Sequence, residues 1–360
     1  MVRLPVLGKK SSGEDDPGGE DKQAHPARVR LRAWWEGYDV DEYAAMLARR
    51  RAGEDEPDAD GSGNGSDPAG VPVAEMDENP PPIESEDREL PYKPWERSRA
   101  AVSRYVWGPE LCGPGGAENI VNMCKLLALK PEMNLLEIGS GLGGHARALA
   151  EEFGCWVTGY DRSEKIVAAA NELSNAAGMA RKAMIEPLDP ALKDGFARNY
   201  DRAFSKEAFY LFEDKRRLVG LIHDHLKPMG LLLVTDYVLR DESVREDPDY
   251  EAWAAAEGKP IYPLIAEEFG KMFKDFDFVV RVDEDVTKKV VPLVDQTWKG
   301  ADQLVPQLTA RPDGSDLIKI MMREGDLWQR RLKLMRDGRM MVWRIVASKV
   351  GGRPDGLSNW

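Results

Sequence analysis

Cysteine and histidine are both scarce in this sequence of 360 residues, which holds three cysteines and four histidines. Cys112, Cys124 and Cys155 are odd in number and share no C-x-x-C spacing, so we expect free thiols in a reducing compartment, with the cytoplasm as the default location. His223 and His225 stand two positions apart on a predicted helix, where they point to different faces and make a poor metal pair. We therefore expect neither a disulfide nor a metal site.

Long apolar runs are also missing from the sequence. No stretch approaches the roughly 18 apolar residues that a transmembrane helix needs. The apolar stretch within residues 1–10 is too short for a secretory signal. We therefore expect a protein without a membrane-spanning helix.

Basic residues are absent from residues 53–87, although the whole chain carries a formal net charge of −13. The acidic residues of this segment are Glu54, Asp55, Glu56, Asp58, Asp60, Asp67, Glu75, Asp77, Glu78, Glu84, Glu86 and Asp87. The segment is also rich in Gly, Ser and Pro, which predicts a disordered acidic linker. The rest of the chain is close to neutral and shows no basic stripe, so nucleic-acid binding is not expected.

The N-terminal segment 1–52 contains a short aromatic island with Trp34, Trp35, Tyr38 and Tyr43. Its spacing predicts a short helix or a helix pair. Two interpretations stay open for residues 28–47. They either pack on the folded body of the protein, or they dock to a protein partner or a membrane surface.

Residues 88–360 form the predicted folded body. Strands alternate with amphipathic helices, which predicts an α/β fold with a mostly parallel sheet covered by helices on both faces. The predicted strands cover residues 134–138, 156–160, 182–186, 201–205, 231–237, 276–282 and 340–347. Residues 284–338, between the last two strands, are mostly helical by pattern, and we expect this long insertion to be a lid over a substrate.

The most informative stretch follows the first strand. Gly139, Gly141 and Gly144 match the pattern G-x-G-x-x-G, and Asp161 at the end of the second strand stands 22 positions beyond Gly139. Such a glycine loop lets a nucleotide-like cofactor approach the backbone, and the acid can bind ribose hydroxyls. A nicotinamide dinucleotide and S-adenosylmethionine both satisfy these features. Glu137, two positions before the first glycine, is unusual for a nicotinamide-binding strand.

Four motifs, in the same order, resemble those of class I S-adenosylmethionine-dependent methyltransferases, which have a Rossmann-like sheet. They span residues 135–144, 157–163, 200–208 and 226–237. The resemblance implies S-adenosylmethionine as cofactor and a small-molecule methyl acceptor. It also implies a set of cofactor-binding positions for the methionine part, the ribose and the adenine. These are Glu137, Gly139, Ser140, Gly141, Asp161, Arg162, Leu188, Asp189 and Ser205.

Residues 95–350 resemble the phosphoethanolamine methyltransferases and, more loosely, sterol-type methyltransferases. The phosphoethanolamine family uses a Tyr–His pair, but the matching positions here are Leu211 and a position near Trp95. The remaining candidates for a catalytic base are Glu207, Asp236 and Tyr237, which follow predicted strands at the edge where α/β proteins form their sites.

The acceptor stays open at this point. An amine or phosphobase predicts a polar pocket, whereas a lipid, isoprenoid or quinone predicts an apolar one. Two other functions remain as alternatives: a nicotinamide-dependent oxidoreductase, and a catalytically silent methyltransferase-like scaffold. The sequence does not predict an oligomeric state.

Overall fold

The computed structural model describes residues 25–36, 38–52, 98–108, 110–189, 192 and 195–351. The predicted acidic linker, residues 53–87, lies outside the described residues. The chain divides into two compact units, Met1–Asp58 and Ala59–Trp360.

The first unit contains two helices, α1 (Ala27–Glu36) and α2 (Val40–Ala52). They contact each other, and His25 Nε2 lies 2.7 Å from Asp41 Oδ1. The aromatic island therefore forms a helix pair. Docking through residues 28–47 stays a prediction.

The second unit contains the strands β1 to β8 and the helices α3 to α12. The strands are β1 (Asn134–Ile138), β2 (Trp156–Asp161), β3 (Ala183–Pro187), β4 (Tyr200–Lys206), β5 (Leu226–Leu239), β6 (Leu264–Ile265), β7 (Phe278–Asp285) and β8 (Met340–Lys349). The helices are α3 (Arg99–Trp107), α4 (Gly116–Cys124), α5 (Gly144–Phe153), α6 (Glu164–Ala176), α7 (Lys215–His225), α8 (Pro248–Glu257), α9 (Ala266–Lys274), α10 (Thr287–Lys299), α11 (Val305–Thr309) and α12 (Gly314–Arg336). No described helix is both long and apolar enough to cross a membrane.

The strands form one sheet in the order β3-β2-β1-β4-β5-β8-β7, with the short β6 paired to β5. Only β8 runs antiparallel to its neighbours β5 and β7. Successive residues of β1 enter different hydrophobic clusters: Leu136 and Ile138 belong to one, Leu135 to the other. Because side chains alternate along a strand, the sheet is covered on both faces. The predicted α/β fold with a Rossmann-like sheet is confirmed.

The strand order reverses between β1 and β4, because the chain places β2 and β3 on one side of β1 and then β4 and β5 on the other. At such a switch point the loops at the carboxyl ends of the two central strands separate and leave a crevice for a ligand. The crevice here is bordered by the glycine loop 139–144 after β1 and by residues 207–212 after β4.

Most strand ends differ from the sequence-based prediction by one to three residues, and two differences change an element. The fifth strand starts at Leu226 rather than at residue 231, because Leu226 already pairs with Tyr200 of β4 before an irregularity in the register. The sequence pattern predicts a helix over residues 262–274, but residues 264–265 form β6 and pair with Val238 and Leu239 of β5. The predicted helical insertion between the last two strands is present as α10, α11 and α12.

Gly159 of β2 offers a test of how closely the glycine loop packs on the sheet. A Cβ at this position would overlap Ser140 Oγ and lie 2.6 Å from Ile185 Cδ1. We expect Gly159→Ala to lower the free energy of unfolding by about 2 kcal/mol or more, because a well-packed core cannot accept the extra atom. Denaturant unfolding measures this change.

The matched control is Gly300→Ala. Gly300 has a φ of −95°, and the nearest atom to its added Cβ is Thr297 O at 3.7 Å. This variant is expected to be neutral or to stabilise by about 0.5 kcal/mol. Equal stability of the two variants would contradict the proposed close packing at Gly159.

Candidate active site

A cavity of about 310 Å³ opens at the switch point of the sheet. Its cofactor-side lining includes Gly139, Ser140, Gly141 and Asp161. The rest of the lining includes residues of α3, α12 and β5 and of the segments after β4 and α8. The predicted cofactor loop and the predicted helical insertion, through α12, therefore contribute to one cavity.

The glycine loop is held against the sheet by its own backbone. Tyr160 O accepts hydrogen bonds from the N–H groups of Gly139 and Ser140, at 2.8 and 3.2 Å. Gly139 has a φ of +80°, and a Cβ there would overlap the Cβ of Ala208 in the loop after β4. Only glycine combines this conformation with so close an approach.

The side chain of Asp161 lies beside the glycine loop. Its Oδ2 accepts a hydrogen bond from Gly141 N, and its Oδ1 accepts one from Ser163 N, both at 3.0 Å. Each carboxylate oxygen keeps a second lone pair, so the side chain can still accept hydrogen bonds from a ligand in the cavity.

Glu137 is buried under the glycine loop. Its Oε2 accepts a hydrogen bond from Ser140 Oγ at 2.8 Å, and its Oε1 lies 3.2 Å from Nδ1 of His145, which lines the cavity. Through these contacts Glu137 holds the glycine loop in place. A direct bond to the methionine part of a cofactor stays a prediction.

Four other predicted cofactor positions do not line the cavity. Arg162 Nη1 donates to Leu211 O at 2.7 Å, and Ser205 Oγ donates to Ile138 O at 3.0 Å. Leu188 is buried in the hydrophobic core, and Asp189 is half-buried beyond it. Their roles stay predictions, and the observed contacts show Arg162 and Ser205 binding backbone carbonyls.

Glu207, one of the three candidate bases, lines the cavity. Its N–H donates to Thr235 O at 2.6 Å, and its φ of +50° is unusual for a residue with a side chain. The carboxylate Oε2 accepts a hydrogen bond from Lys206 Nζ at 2.7 Å, and both side chains are buried. A carboxylate is thus held next to the glycine loop, beside an ammonium group.

The other two candidate bases differ in their placement. Tyr237 lines the cavity, whereas Asp236 lies behind its wall. Asp236 is fully buried, its Oδ1 has no hydrogen-bond partner among the described residues, and burial raises its pKa well above the usual range. A carboxyl group that does not reach the cavity and whose ionised form is disfavoured by burial is poorly placed to take a proton from an acceptor.

The sequence pattern did not predict a group of paired charges at the cavity, of which Arg99 is partly exposed and the other three are buried; we call it the charge cluster: Arg99, Glu257, Glu324 and Arg331. Arg331 donates to Glu257 through Nε, at 3.1 Å, and through Nη2. Arg99 forms an ion pair with Glu324 and lies 3.4 Å from Glu257 Oε2. The four residues come from α3, the end of α8 and α12, so no local pattern in the sequence connects them.

The charge cluster shifts the titration of Glu257. Burial alone would raise the pKa of this carboxyl, but Arg331, Arg99 and the hydrogen bond from Trp253 Nε1 lower it to about 2. Glu257 is therefore ionised at all physiological pH values. Among the described residues, no group of three or more His, Cys, Asp or Glu side chains is placed to hold a metal ion.

Comparison with known proteins identifies the type of domain. Residues 118–281 match the family model described as a methyltransferase domain. Phosphoethanolamine N-methyltransferase 3 of Arabidopsis thaliana is 27% identical over 225 residues, which cover 61% of this chain and 44% of that protein. The glycine/sarcosine/dimethylglycine N-methyltransferase of Actinopolyspora halophila is 28% identical over 158 residues, covering 43% of this chain and 28% of that protein. The chain thus spans less than half the length of these curated relatives.

The fold has a similar counterpart among solved structures. Phosphoethanolamine N-methyltransferase 2 of Haemonchus contortus, bound to phosphomonomethylethanolamine and S-adenosylhomocysteine, superposes with a TM-score of 0.60 and 21% identity, covering 72% of this chain and 59% of that one. Residues 118–281 therefore contain a methyltransferase domain with the Rossmann-like fold of the class I enzymes, a class that uses S-adenosylmethionine as cofactor. Within this class the chain is similar to phosphoethanolamine N-methyltransferases.

The lining of the cavity fits this cofactor. The glycine loop offers close backbone approach, and Asp161 keeps free acceptor positions for ribose hydroxyls. We expect Asp161→Asn to weaken binding of S-adenosylhomocysteine by about 10- to 100-fold, since one charged acceptor is lost. Isothermal titration calorimetry measures the affinity, and Asp224→Asn, at an exposed position, is the control. An affinity unchanged by Asp161→Asn would exclude the ribose contact.

The lowered pKa of Glu257 predicts a pH-dependent stability. Because the folded-state pKa of about 2 lies below the ordinary value of 4.5, the stabilisation is complete above pH 4.5 and is lost as the pH falls towards 2. We expect wild type to lose up to about 3 kcal/mol more unfolding free energy over this window than Glu257→Gln, which lacks the titrating group. Denaturant unfolding at stepped pH measures the difference. Glu118→Gln, at an exposed position, should follow wild type; parallel curves for all three proteins would contradict the prediction.

Proposed function

We propose that the protein transfers the methyl group of S-adenosylmethionine to the nitrogen of a small polar amine that also carries an anionic group. The observation that carries this proposal is the composition of the cavity. The cofactor loop and Asp161, the charged side chains Arg99 and Arg331, and the carboxylate of Glu207 all line this one cavity.

The charged lining favours a polar acceptor over a lipid, isoprenoid or quinone. The cationic side chains Arg99, Lys206, Lys259 and Arg331 all line the cavity. An apolar acceptor would remove these charges from water, which is costly even for those that an internal carboxylate pairs and more so for Lys259, which has no ion pair among the described residues. An anionic group on the acceptor would instead bind Lys259. The names of the similar proteins, which are N-methyltransferases of phosphoethanolamine and of glycine, support an amine.

Glu207 is the residue best placed to handle the proton of the acceptor. When bound, S-adenosylmethionine supplies an electrophilic methyl group on its sulfonium. An ammonium group must lose a proton before its nitrogen can attack, and a carboxylate within hydrogen-bond reach can accept that proton. Lys206 already holds an ammonium group at Glu207 Oε2, so the carboxylate is suited to an amine.

This role for Glu207 agrees with the departure from the phosphoethanolamine family. Leu211 stands where that family has its histidine, and Trp95, near the tyrosine position, lies outside the described residues. Leu211 lines the cavity but has no group that can take up a proton. The proton-accepting function therefore falls to Glu207.

The helical insertion contributes to the acceptor side. Helix α12 supplies Glu324, Trp328 and Arg331 to the cavity lining. This placement supports the proposed role of residues 284–338 as the cover of the acceptor. A cytoplasmic location is inferred only from the scarce, unpatterned cysteines.

Replacing Glu207 tests the mechanism. We expect Glu207→Gln to lower kcat by about 100-fold or more, because the amide cannot accept the proton. Affinity for S-adenosylhomocysteine should stay within about twofold of wild type. The assay follows labelled methyl transfer from S-adenosylmethionine into the amine fraction of a cell extract. Glu213→Gln, at a nearby exposed position, is the matched control, and a fully active Glu207→Gln would remove Glu207 from the mechanism.

A further inference from the structure

We propose that the acceptor amine carries a single negative charge, as a carboxylate or a sulfonate does, and that Glu257 and Glu324 exclude a doubly charged phosphate. This inference rests on the proposed function and narrows its substrate class. The similar proteins do not decide the point, because their names include both a phosphate-bearing acceptor and glycine.

Arg99 and Arg331 of the cavity lining are already neutralised by carboxylates of the protein. Glu257 and Glu324, which form ion pairs with Arg331 and Arg99 respectively, have side chains that are 0% and 2% exposed. Because each guanidinium group is paired with a buried carboxylate of the protein itself, each pair contributes no net charge to the cavity.

Most N–H donors of Arg331 are already engaged by other side chains of the protein. Nε and Nη2 bind Glu257, Nη2 also donates to the hydroxyl of Tyr210 at 3.1 Å, and Nη1 lies 3.4 Å from the hydroxyl of Tyr237. A guanidinium group binds a phosphate best through two parallel N–H donors. Here Nε and Nη2 both donate to the same oxygen, Oε1 of Glu257, so an internal carboxylate already occupies that edge of the guanidinium group, and Nη1 remains the less engaged donor.

One positive charge of the described cavity lining is left without an ion pair, that of Lys259. Lys206 is paired with Glu207, so it too contributes no net charge. Lys259 lines the cavity and, among the described residues, has no ion pair or hydrogen bond with another side chain. It supplies one positive charge for the acceptor. On the cofactor side, the negative charge of Asp161 offsets the positive sulfonium.

One unpaired lysine matches one negative charge. A doubly charged group would bring its second charge close to the buried carboxylates of Glu257 and Glu324, where water screens little and like charges repel. The structure therefore favours a monoanionic amine over a dianionic one, and an amine without an anion leaves Lys259 without a partner.

Three amines that share the 2-aminoethyl group test the charge directly. Taurine and 2-aminoethylphosphonate have a similar tetrahedral anion, but at about pH 8.5 the sulfonate carries one charge and the phosphonate close to two; ethanolamine carries no anion. We expect kcat/KM for taurine to exceed that of both others by about 10-fold, the effect of 1.4 kcal/mol. Labelled methyl transfer measures the rates. Equal or higher kcat/KM for either of the other two amines would overturn the inference.

Variants assign the preference to the charge cluster. Glu324→Gln and Glu257→Gln each free one positive charge, so the ratio of kcat/KM for 2-aminoethylphosphonate over taurine should rise about 10-fold, through KM rather than kcat. Lys259→Met should bring taurine down to the level of ethanolamine. Glu267→Gln, at an exposed position of α9, should change no ratio. Ratios that stay at the wild-type value in folded variants would overturn the assignment; if neither glutamate variant folds, the wild-type comparison and Lys259→Met decide.

The proposed function can fail separately from this inference. If labelled methyl enters no amine of a cell extract, although the protein binds S-adenosylhomocysteine, the proposed function is wrong. If an extract amine is labelled but carries two negative charges or none, only the present inference is wrong. Should none of the three test amines be methylated, calorimetric binding to the protein loaded with S-adenosylhomocysteine makes the same comparison, and no binding by any of them also overturns it.

Discussion

The close packing of the glycine loop between β2 and the segment after β4 is the constraint on which the site depends. Tyr160 O binds two successive N–H groups of the loop, and Gly139 leaves no space between the loop and Ala208. Because three chain segments meet at this point, Asp161 and Glu207 line the same cavity although they are far apart in sequence. The cofactor side and the acceptor side are thus positioned by one backbone contact.

The acceptor side depends on a different kind of interaction. Glu257, Glu324 and Arg331 are buried charges, whereas Arg99 is partly exposed, and a buried charge is tolerated only when it is paired and hydrogen-bonded. Their pairing ties α3, α8 and α12 together around the cavity. The same pairing decides how much positive charge is left in the cavity, and the proposed preference for a monoanionic acceptor follows from it.

Much of the fold could be predicted from the sequence because the strands are buried on both faces. The apolar run at 134–138 forms β1 with the expected bounds, and the helical pattern of 284–338 forms α10 to α12. The predicted bounds were wrong where pairing between strands overrides the local sequence pattern. Leu226 joins β5 early through Tyr200, and residues 264–265 pair with β5 although their pattern is helical.

The residues predicted for the site differ in whether they reach the cavity. Gly139, Ser140, Gly141 and Asp161 line the cavity as the motifs indicated, since each lies at the end of a strand whose neighbours are set by the fold. Arg162 and Ser205 belong to the same motifs, but their side chains bind the carbonyls of Leu211 and Ile138. A motif gives the position of a residue along the chain, whereas the direction of its side chain depends on which partner is within reach.

The sequence by itself determined the α/β class, the glycine loop and the methyl-donor cofactor, because these follow from local periodicity and short spacings. The tertiary structure alone decided the charge of the acceptor side. Arg99 and Glu324 are separated by 225 positions, and Glu257 and Arg331 by 74. No local pattern joins such residues; only the packing of α3, α8 and α12 against the sheet brings the opposite charges into contact and removes them from water.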